Sequence, residues 1–132
     1  MRVVLDTNVL VSALLLPQSL PDRVVTLARQ GRVQSVTSKE LLEELRRVLK
    51  EKLKFETDQI ESALELIFSH SEIVTPAQPL RIIRSDPSDN RVLECALEGL
   101  ATAIVTGDHH LLELGKFRHM PILSPRQFLS IL

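Results

Sequence analysis

Two aspartates follow apolar segments that have the composition of buried strands. Asp6 comes directly after RVVL (residues 2–5), and Asp108 comes shortly after TAIVT (residues 102–106). In open α/β sheets, ligands bind outside the carboxyl ends of the strands. We therefore expect Asp6 and Asp108 to lie on the same edge of a sheet, where two carboxylates would mark a functional site.

Two further carboxylates lie on predicted helices at positions that could face the sheet. Asp89 stands before Val92 and Leu93 at helical spacing, which places it on the apolar face of its helix, and Glu44 flanks the apolar stripe of the helix 38–53. A buried carboxylate is costly without a partner. If the four acids converge, their repulsion raises their pKa values unless cations neutralise them. All-oxygen sites of this kind suit Mg²⁺ or Mn²⁺.

The strand-end aspartates also have a structural interpretation, because aspartate is a favoured N-cap and a predicted helix follows each of them. Either residue alone could be a cap, whereas the matching positions of Asp6 and Asp108 favour function. His109 and His110 adjoin Asp108, and we interpret them as exposed residues at a helix start. No Cys–His set has the spacing of a zinc site, so zinc is not expected.

Two pairs of acids leave the choice of ligand open. Asp86 precedes a proline, which is typical of an N-cap followed by proline at the first helical position, yet both Asp86 and Asp89 could face a metal. Glu40 forms a T-x-x-E capping box with Thr37, but it competes with Glu44 for the same role. The spacing alone does not decide between the members of either pair.

Short β-branched runs alternate with amphipathic segments along the chain. The predicted strands are 2–5, 33–36, 72–75, 102–106 and 121–124. The predicted helices are 8–15, 22–30, 38–53, 57–69, 88–99, 109–114 and one that starts at about 125. This alternation predicts an α/β fold, a three-layer sandwich in which helices flank a central parallel β-sheet on both faces.

The length of 132 residues predicts one domain, 1–132. The net charge of −1 gives no overall basic footprint for nucleic acid. A local basic cluster could either help to bind RNA or form a solvated helix face, and it consists of Arg46, Arg47, Lys50, Lys52 and Lys54. The chain has neither an apolar run of about 18 residues nor a signal-peptide pattern. We expect a soluble cytoplasmic protein with no membrane association.

Four segments occur in a characteristic order: LDTNVLVSAL, SKELLEEL, DPSDNRVLECAL and AIVTGDHHLL. Together they resemble the successive motifs of a PIN domain, most closely the single-domain toxin type of bacterial and archaeal toxin–antitoxin pairs. The resemblance covers nearly the whole chain and implies a ribonuclease that depends on Mg²⁺ or Mn²⁺. It places the catalytic, metal-binding acids at Asp6, Glu44, Asp89 and Asp108, and it implies supporting roles for Asn8 and Thr106.

The function expected from this resemblance is hydrolysis of RNA phosphodiester bonds, as the toxin component of a toxin–antitoxin system. The products would carry a 3′-hydroxyl and a 5′-phosphate. The expected partners are RNA, an antitoxin protein and a second copy of the chain. The alternative is a catalytically inactive PIN-like binding module, in which the acids are retained as helix caps and the protein acts through a protein partner.

Overall fold

A largely parallel sheet lies at the centre of the structure, a computed structural model that describes residues 1–83 and 86–132. Within those ranges the strands are β1 (Arg2–Leu5), β2 (Gln34–Ser38), β3 (Ser71–Val74), β4 (Ala103–Val105), β5 (Lys116–Phe117) and β6 (Met120–Leu123). Their order across the sheet is β3-β2-β1-β4-β6-β5. All neighbours pair in parallel except β5 and β6, which form a short antiparallel hairpin. The parallel sheet was predicted, whereas β5 was not.

The helices connect and cover the strands. They are α1 (Thr7–Leu15), α2 (Leu20–Arg29), α3 (Lys39–Arg47), α4 (Thr57–Ser69), α5 (Asp89–Glu98), α6 (His109–Leu114) and α7 (Pro125–Ser130). A π-helical segment, Val48–Lys52, continues α3 directly. The predicted helix 38–53 is therefore two segments of different helical pitch. In the described ranges, no helix combines the length and the apolar character that a membrane crossing requires.

Alternate residues of the central strands pack into separate cores on the two faces of the sheet. Val3 and Leu5 of β1 contribute to a core with α1, α2, the α3 region, α4 and α7. Val4 points the other way, into a core built mainly by α5 and α6. This alternation is the side-chain period of a β-strand. The predicted three-layer α/β sandwich is confirmed.

The chain changes direction across the sheet at β1. From β1 it proceeds outward to β2 and β3, and α5 then returns it to the opposite side of β1, where β4 and β6 follow. Leu5, the last residue of β1, pairs with Val105, the last residue of β4. The carboxyl ends of β1 and β4 therefore meet at a topological switch point, the position where open α/β sheets bind their ligands.

Two predicted helix caps are wrong by one or more residues. The N-cap of α3 is Ser38, whose hydroxyl accepts from the backbone N–H of Leu41 at 3.3 Å. Thr37 belongs to β2, where pairing with β3 extends the strand beyond its predicted end. Similarly, α5 begins at Asp89, with Ser88 as its N-cap. Asp86 caps a preceding turn instead, because its carboxylate accepts from the backbone N–H of Ser88 at 3.1 Å.

Gly99 ends α5 at a point of close packing against β2. A Cβ atom at this position would lie 2.5 Å from Cγ1 of Val36, which is fully buried. We expect Gly99→Ala to lower the free energy of unfolding by about 1–3 kcal/mol, the usual cost of overpacking a core. Urea denaturation measures this change. Val36→Ala removes the methyl group, so the cost of Gly99→Ala should shrink in that background. An equal cost in both backgrounds would contradict the packing argument.

Candidate metal centre

Asp6 is fixed by hydrogen bonds at the end of β1. Its backbone N–H donates to the carbonyl of Val105 at 2.9 Å, which continues the pairing with β4. Its carboxylate accepts from the backbone N–H of Thr7 at 2.7 Å, the hydroxyl of Thr106 at 2.7 Å and the amide of Asn8 at 3.1 Å. Only 4% of Asp6 is exposed. Burial raises its pKa despite these hydrogen bonds.

Asn8 and Thr106 connect the two strand-end aspartates. The Asn8 side-chain oxygen accepts from the backbone N–H of Gly107 at 2.8 Å. The Thr106 hydroxyl donates to Asp6 and accepts from the backbone N–H of Asp108 at 3.0 Å. The two residues therefore fix the segment after β4 relative to the segment after β1. The supporting role that the PIN resemblance implies for both residues stays a prediction.

Asp89 brings a third carboxylate from the first turn of α5. Carboxylate oxygens of Asp86, Asp89 and Asp108 lie within 4.8 Å of one another. Asp89 is 5% exposed, and its Oδ2 atom is buried without a hydrogen-bond partner among the described residues. Burial, followed by the negative charges of Asp108, Asp86 and Asp6, raises the pKa of Asp89 to about 8. A bound cation would offset this charge.

Glu44 reaches the same site from α3. Its Oε2 accepts from the hydroxyl of Thr7 at 3.3 Å. Burial and then the charge of Asp6 raise its pKa, while Arg47 acts in the opposite direction. Glu40, by contrast, is exposed on the first turn of α3 and does not line the acidic cavity. The geometry therefore favours Glu44 over Glu40.

The acids share one cavity of about 270 Å³ at the carboxyl ends of β1 and β4. Its lining is Asp6, Thr7, Asn8, Val11, Ser12, Glu44, Val48, Lys52, Asp86, Asp89 and Asp108. The structure thus brings together all four predicted acids and also Asp86. Both members of the Asp86 and Asp89 pair face this cavity. The role of these residues as metal ligands stays a prediction.

The donor set of the cavity fits a hard divalent cation. The titratable side chains of the lining that could bind a cation are all carboxylates. The Oδ2 atom of Asp89, which has no hydrogen-bond partner among the described residues, could bind a cation. Mg²⁺ and Mn²⁺ prefer such oxygen ligands. His109 and His110 stack with ring centroids 4.1 Å apart, and neither lines the cavity. His109 is exposed as predicted, whereas His110 is partly buried, with Nδ1 3.4 Å from Asp108.

A polar clamp on α5 was not predicted from the sequence. The Asn90 side chain is 3% exposed, accepts from the backbone N–H groups of Ile82 and Ile83, and donates to the carbonyl of Ile83. Glu94, one turn later, accepts from the backbone N–H of Leu80 at 2.7 Å. These hydrogen bonds hold the loop of residues 80–83 against α5, the helix that carries Asp89. The only signal in the sequence is a pair of polar residues four apart beside an apolar stripe.

A three-layer α/β fold with carboxylates at its switch point defines a class of α/β proteins with an acidic site at the carboxyl ends of the strands. Within that class, the family model of the PIN domain matches residues 2–110. The chain therefore belongs to the PIN domain family. An uncharacterized protein of Methanocaldococcus jannaschii is 30% identical over 141 residues, which cover 98% of this chain and 90% of that protein.

Solved structures share the fold at low sequence identity. VapBC2 from Rickettsia felis, solved with a DNA fragment from the promoter, matches at a TM-score of 0.64 and 19% identity, covering 94% of this chain and 98% of that one. VapBC-1 from nontypeable Haemophilus influenzae matches at a TM-score of 0.60 and 16% identity, covering 96% of this chain and 99% of that one. The RRP44 PIN domain of T. brucei matches at a TM-score of 0.53 and 16% identity, covering 97% of this chain and 78% of that one. These similarities confirm the fold.

The raised pKa of Asp89 makes stability depend on pH when no metal is bound. Between its ordinary value of 3.8 and about 8, the unfolded chain is ionised while the folded chain holds a proton. Folded-state stability therefore falls as pH rises through this range. In EDTA at pH 8.5, we expect Asp89→Asn to raise the free energy of unfolding by roughly 1–3 kcal/mol, since it removes a buried, unsatisfied charge.

The difference between Asp89→Asn and the wild-type protein should shrink toward zero as the pH approaches 4. Urea denaturation at a series of pH values measures it. Asp58→Asn is the matched control, because Asp58 is an exposed acid in the first turn of α4. A destabilised Asp89→Asn variant at pH 8.5, or an equal gain from Asp58→Asn, would contradict the repulsion among these carboxylates.

Proposed function

We propose that this PIN domain is an endoribonuclease that depends on Mg²⁺ or Mn²⁺ and hydrolyses RNA phosphodiester bonds. One observation carries the proposal. Carboxylates from four separate elements line a single cavity, and one of them has a buried oxygen without a partner among the described residues. A purely structural cap would not explain that arrangement. Membership of the PIN family supports the same conclusion.

In this proposal, Asp6, Glu44, Asp89 and Asp108 hold the cation, and Asp86 assists them. A bound divalent cation supplies an activated water molecule and offsets negative charge on the phosphate. The protein positions the acids before the substrate arrives. Attack by water in line with the leaving oxygen would give a 3′-hydroxyl and a 5′-phosphate.

The chain's own residues fix the geometry of this reaction. Thr106 and Asn8 hold the Asp6 carboxylate in one orientation, and Thr7 does the same for Glu44. No covalent intermediate on the protein is needed. Cys95 is fully buried, and burial raises the pKa of its thiol to about 12, so it is not a reactive nucleophile.

The partners follow from the same proposal. The substrate is RNA, and the fold similarity to VapBC2 and VapBC-1 supports a role as the toxin of a toxin–antitoxin pair. Under this proposal an antitoxin protein binds the chain and controls its activity. We also propose that the protein forms a homodimer.

Cleavage of a labelled single-stranded RNA tests the function. With Mg²⁺ or Mn²⁺, we expect cleavage that EDTA abolishes. Asp6→Asn and Glu44→Gln should lose more than the roughly 10–100-fold typical of residues that only support a metal ligand. Glu40→Gln is the matched control on the same helix, because Glu40 is exposed outside the cavity. We expect it to keep wild-type activity.

Three outcomes would contradict the proposed function or its ligand assignment. If no RNA is cleaved and calorimetry detects no binding of Mg²⁺ or Mn²⁺, the inactive binding module becomes the better interpretation. If Glu40→Gln abolishes cleavage while Glu44→Gln does not, the assignment of the glutamate is wrong. Retained activity in Asp6→Asn would remove the central ligand from the account.

Thr106→Val tests whether orientation of Asp6 matters for activity. The variant loses the 2.7 Å hydrogen bond to the Asp6 carboxylate and the 3.0 Å hydrogen bond from the backbone N–H of Asp108, but it keeps the shape of the buried side chain. We expect roughly 10–100-fold lower RNA cleavage, as for other groups that orient metal ligands. Thr102→Val is the control, since Thr102 precedes the opposite end of β4 and bonds to Arg2. Equal losses in both variants would indicate a general effect on folding.

A further inference from the structure

The basic cluster of residues 46–54 divides into groups with different surroundings. Arg46 forms an ion pair with Glu61 of α4. Arg47 lies close enough to Glu44 to act on the pKa of that carboxyl. Both Lys50 and Lys52 are exposed, but only Lys52 lines the acidic cavity. All members of the cluster are exposed, but they differ in their contacts, and Lys52 is the member that lines the acidic cavity.

The π-helical segment accounts for the position of Lys52. In an α-helix, residues four apart are rotated by about 40° from each other around the axis, so a stripe at this spacing drifts away from its face. A π-helix bonds residues five apart and needs more residues per turn, as in the 3.1 Å bond from the N–H of Leu53 to the carbonyl of Val48. This wider turn counteracts the drift. Glu44, Val48 and Lys52 all line the same cavity.

Lys52 has no ion-pair partner among residues 1–83 and 86–132. Lys52 lacks an ion pair although five carboxylates line the same cavity: Asp6, Glu44, Asp86, Asp89 and Asp108. A lysine that served as their counter-ion would contact at least one of them. Lys52 is an exposed residue of the cavity lining without an ion pair among the described residues, so its charge is available to an anion from solution.

We propose that Lys52 binds a phosphate group of the polynucleotide substrate beside the metal centre. This inference rests on the proposed function and deepens it, because it assigns a cationic contact to the sugar–phosphate backbone. A lysine ammonium binds phosphate as a compact point charge. The acids repel the backbone on their own, and Lys52 provides local attraction that the net charge of −1 does not.

Binding of a fluorescein-labelled single-stranded RNA, followed by anisotropy, tests this contact. Ca²⁺ replaces Mg²⁺, because it also takes oxygen ligands, and gels confirm that the RNA stays intact. We expect Lys52→Ala to weaken binding about 10-fold, as loss of a charged hydrogen bond does. The slope of log K against log salt should fall by about 0.7 for the lost phosphate contact. Lys52→Arg should restore most of the affinity.

Lys50→Ala is the matched control, since it removes the same charge from the same segment outside the cavity. Equal effects of Lys50→Ala and Lys52→Ala would overturn the proposal in favour of general electrostatics. A change in the calorimetric affinity for Mn²⁺ without a change in RNA affinity would overturn it in favour of a counter-ion role. RNA binding that depends on Lys52 without any cleavage by the wild-type protein would support this contact and refute only the nuclease function.

Discussion

Repulsion among carboxylates at the carboxyl ends of β1 and β4 is the constraint on which the rest of the site depends. Parallel strands bring Asp6 and Asp108 to one edge of the sheet, and α5 adds Asp89 to them. Burial and mutual repulsion raise the pKa values of Asp6 and Asp89. A fold that only needed stability would not collect negative charge in one cavity. The arrangement makes physical sense when a cation completes it.

The same acids that form the site also begin helices. Asp6 is the N-cap of α1, Asp108 is the N-cap of α6, and Asp89 is the first residue of α5. The exposed N–H groups at a helix start carry partial positive charge, which stabilises an anion there. Capping and metal binding are therefore compatible functions of one residue. The helix starts lessen the repulsion that the convergence of the acids creates.

The convergence of the acids could be predicted because their positions depend on features that a sequence displays. The position of Asp6 and Asp108 after strands requires only that the sheet be parallel. Asp89 and Glu44 required helical periodicity, and the PIN motifs selected the same residues. The choice of Glu44 over Glu40 needed the structure, because it depends on how α3 is rotated against the sheet.

Other features could not be predicted because they arise from tertiary contacts. The π-helical segment at Val48–Lys52 has the same apolar periodicity as an α-helix over so short a stretch. The hydrogen bonds of Asn90 depend on how the backbone at Ile82 and Ile83, eight and seven residues earlier, folds back against α5. The N-cap of α3 moved from Thr37 to Ser38 because pairing with β3 extended the strand. The helix and strand propensities of the local sequence do not predict these contacts.

The measurement that tests the central claim most directly is an anomalous difference map from crystals grown with Mn²⁺. We predict a peak between the carboxylates of Asp6, Asp89 and Asp108, with Glu44 in its immediate surroundings. Such a peak would show that these acids bind a cation. A map without a peak in this cavity, or with one only at His109 and His110, would contradict the account and leave the acids as helix caps.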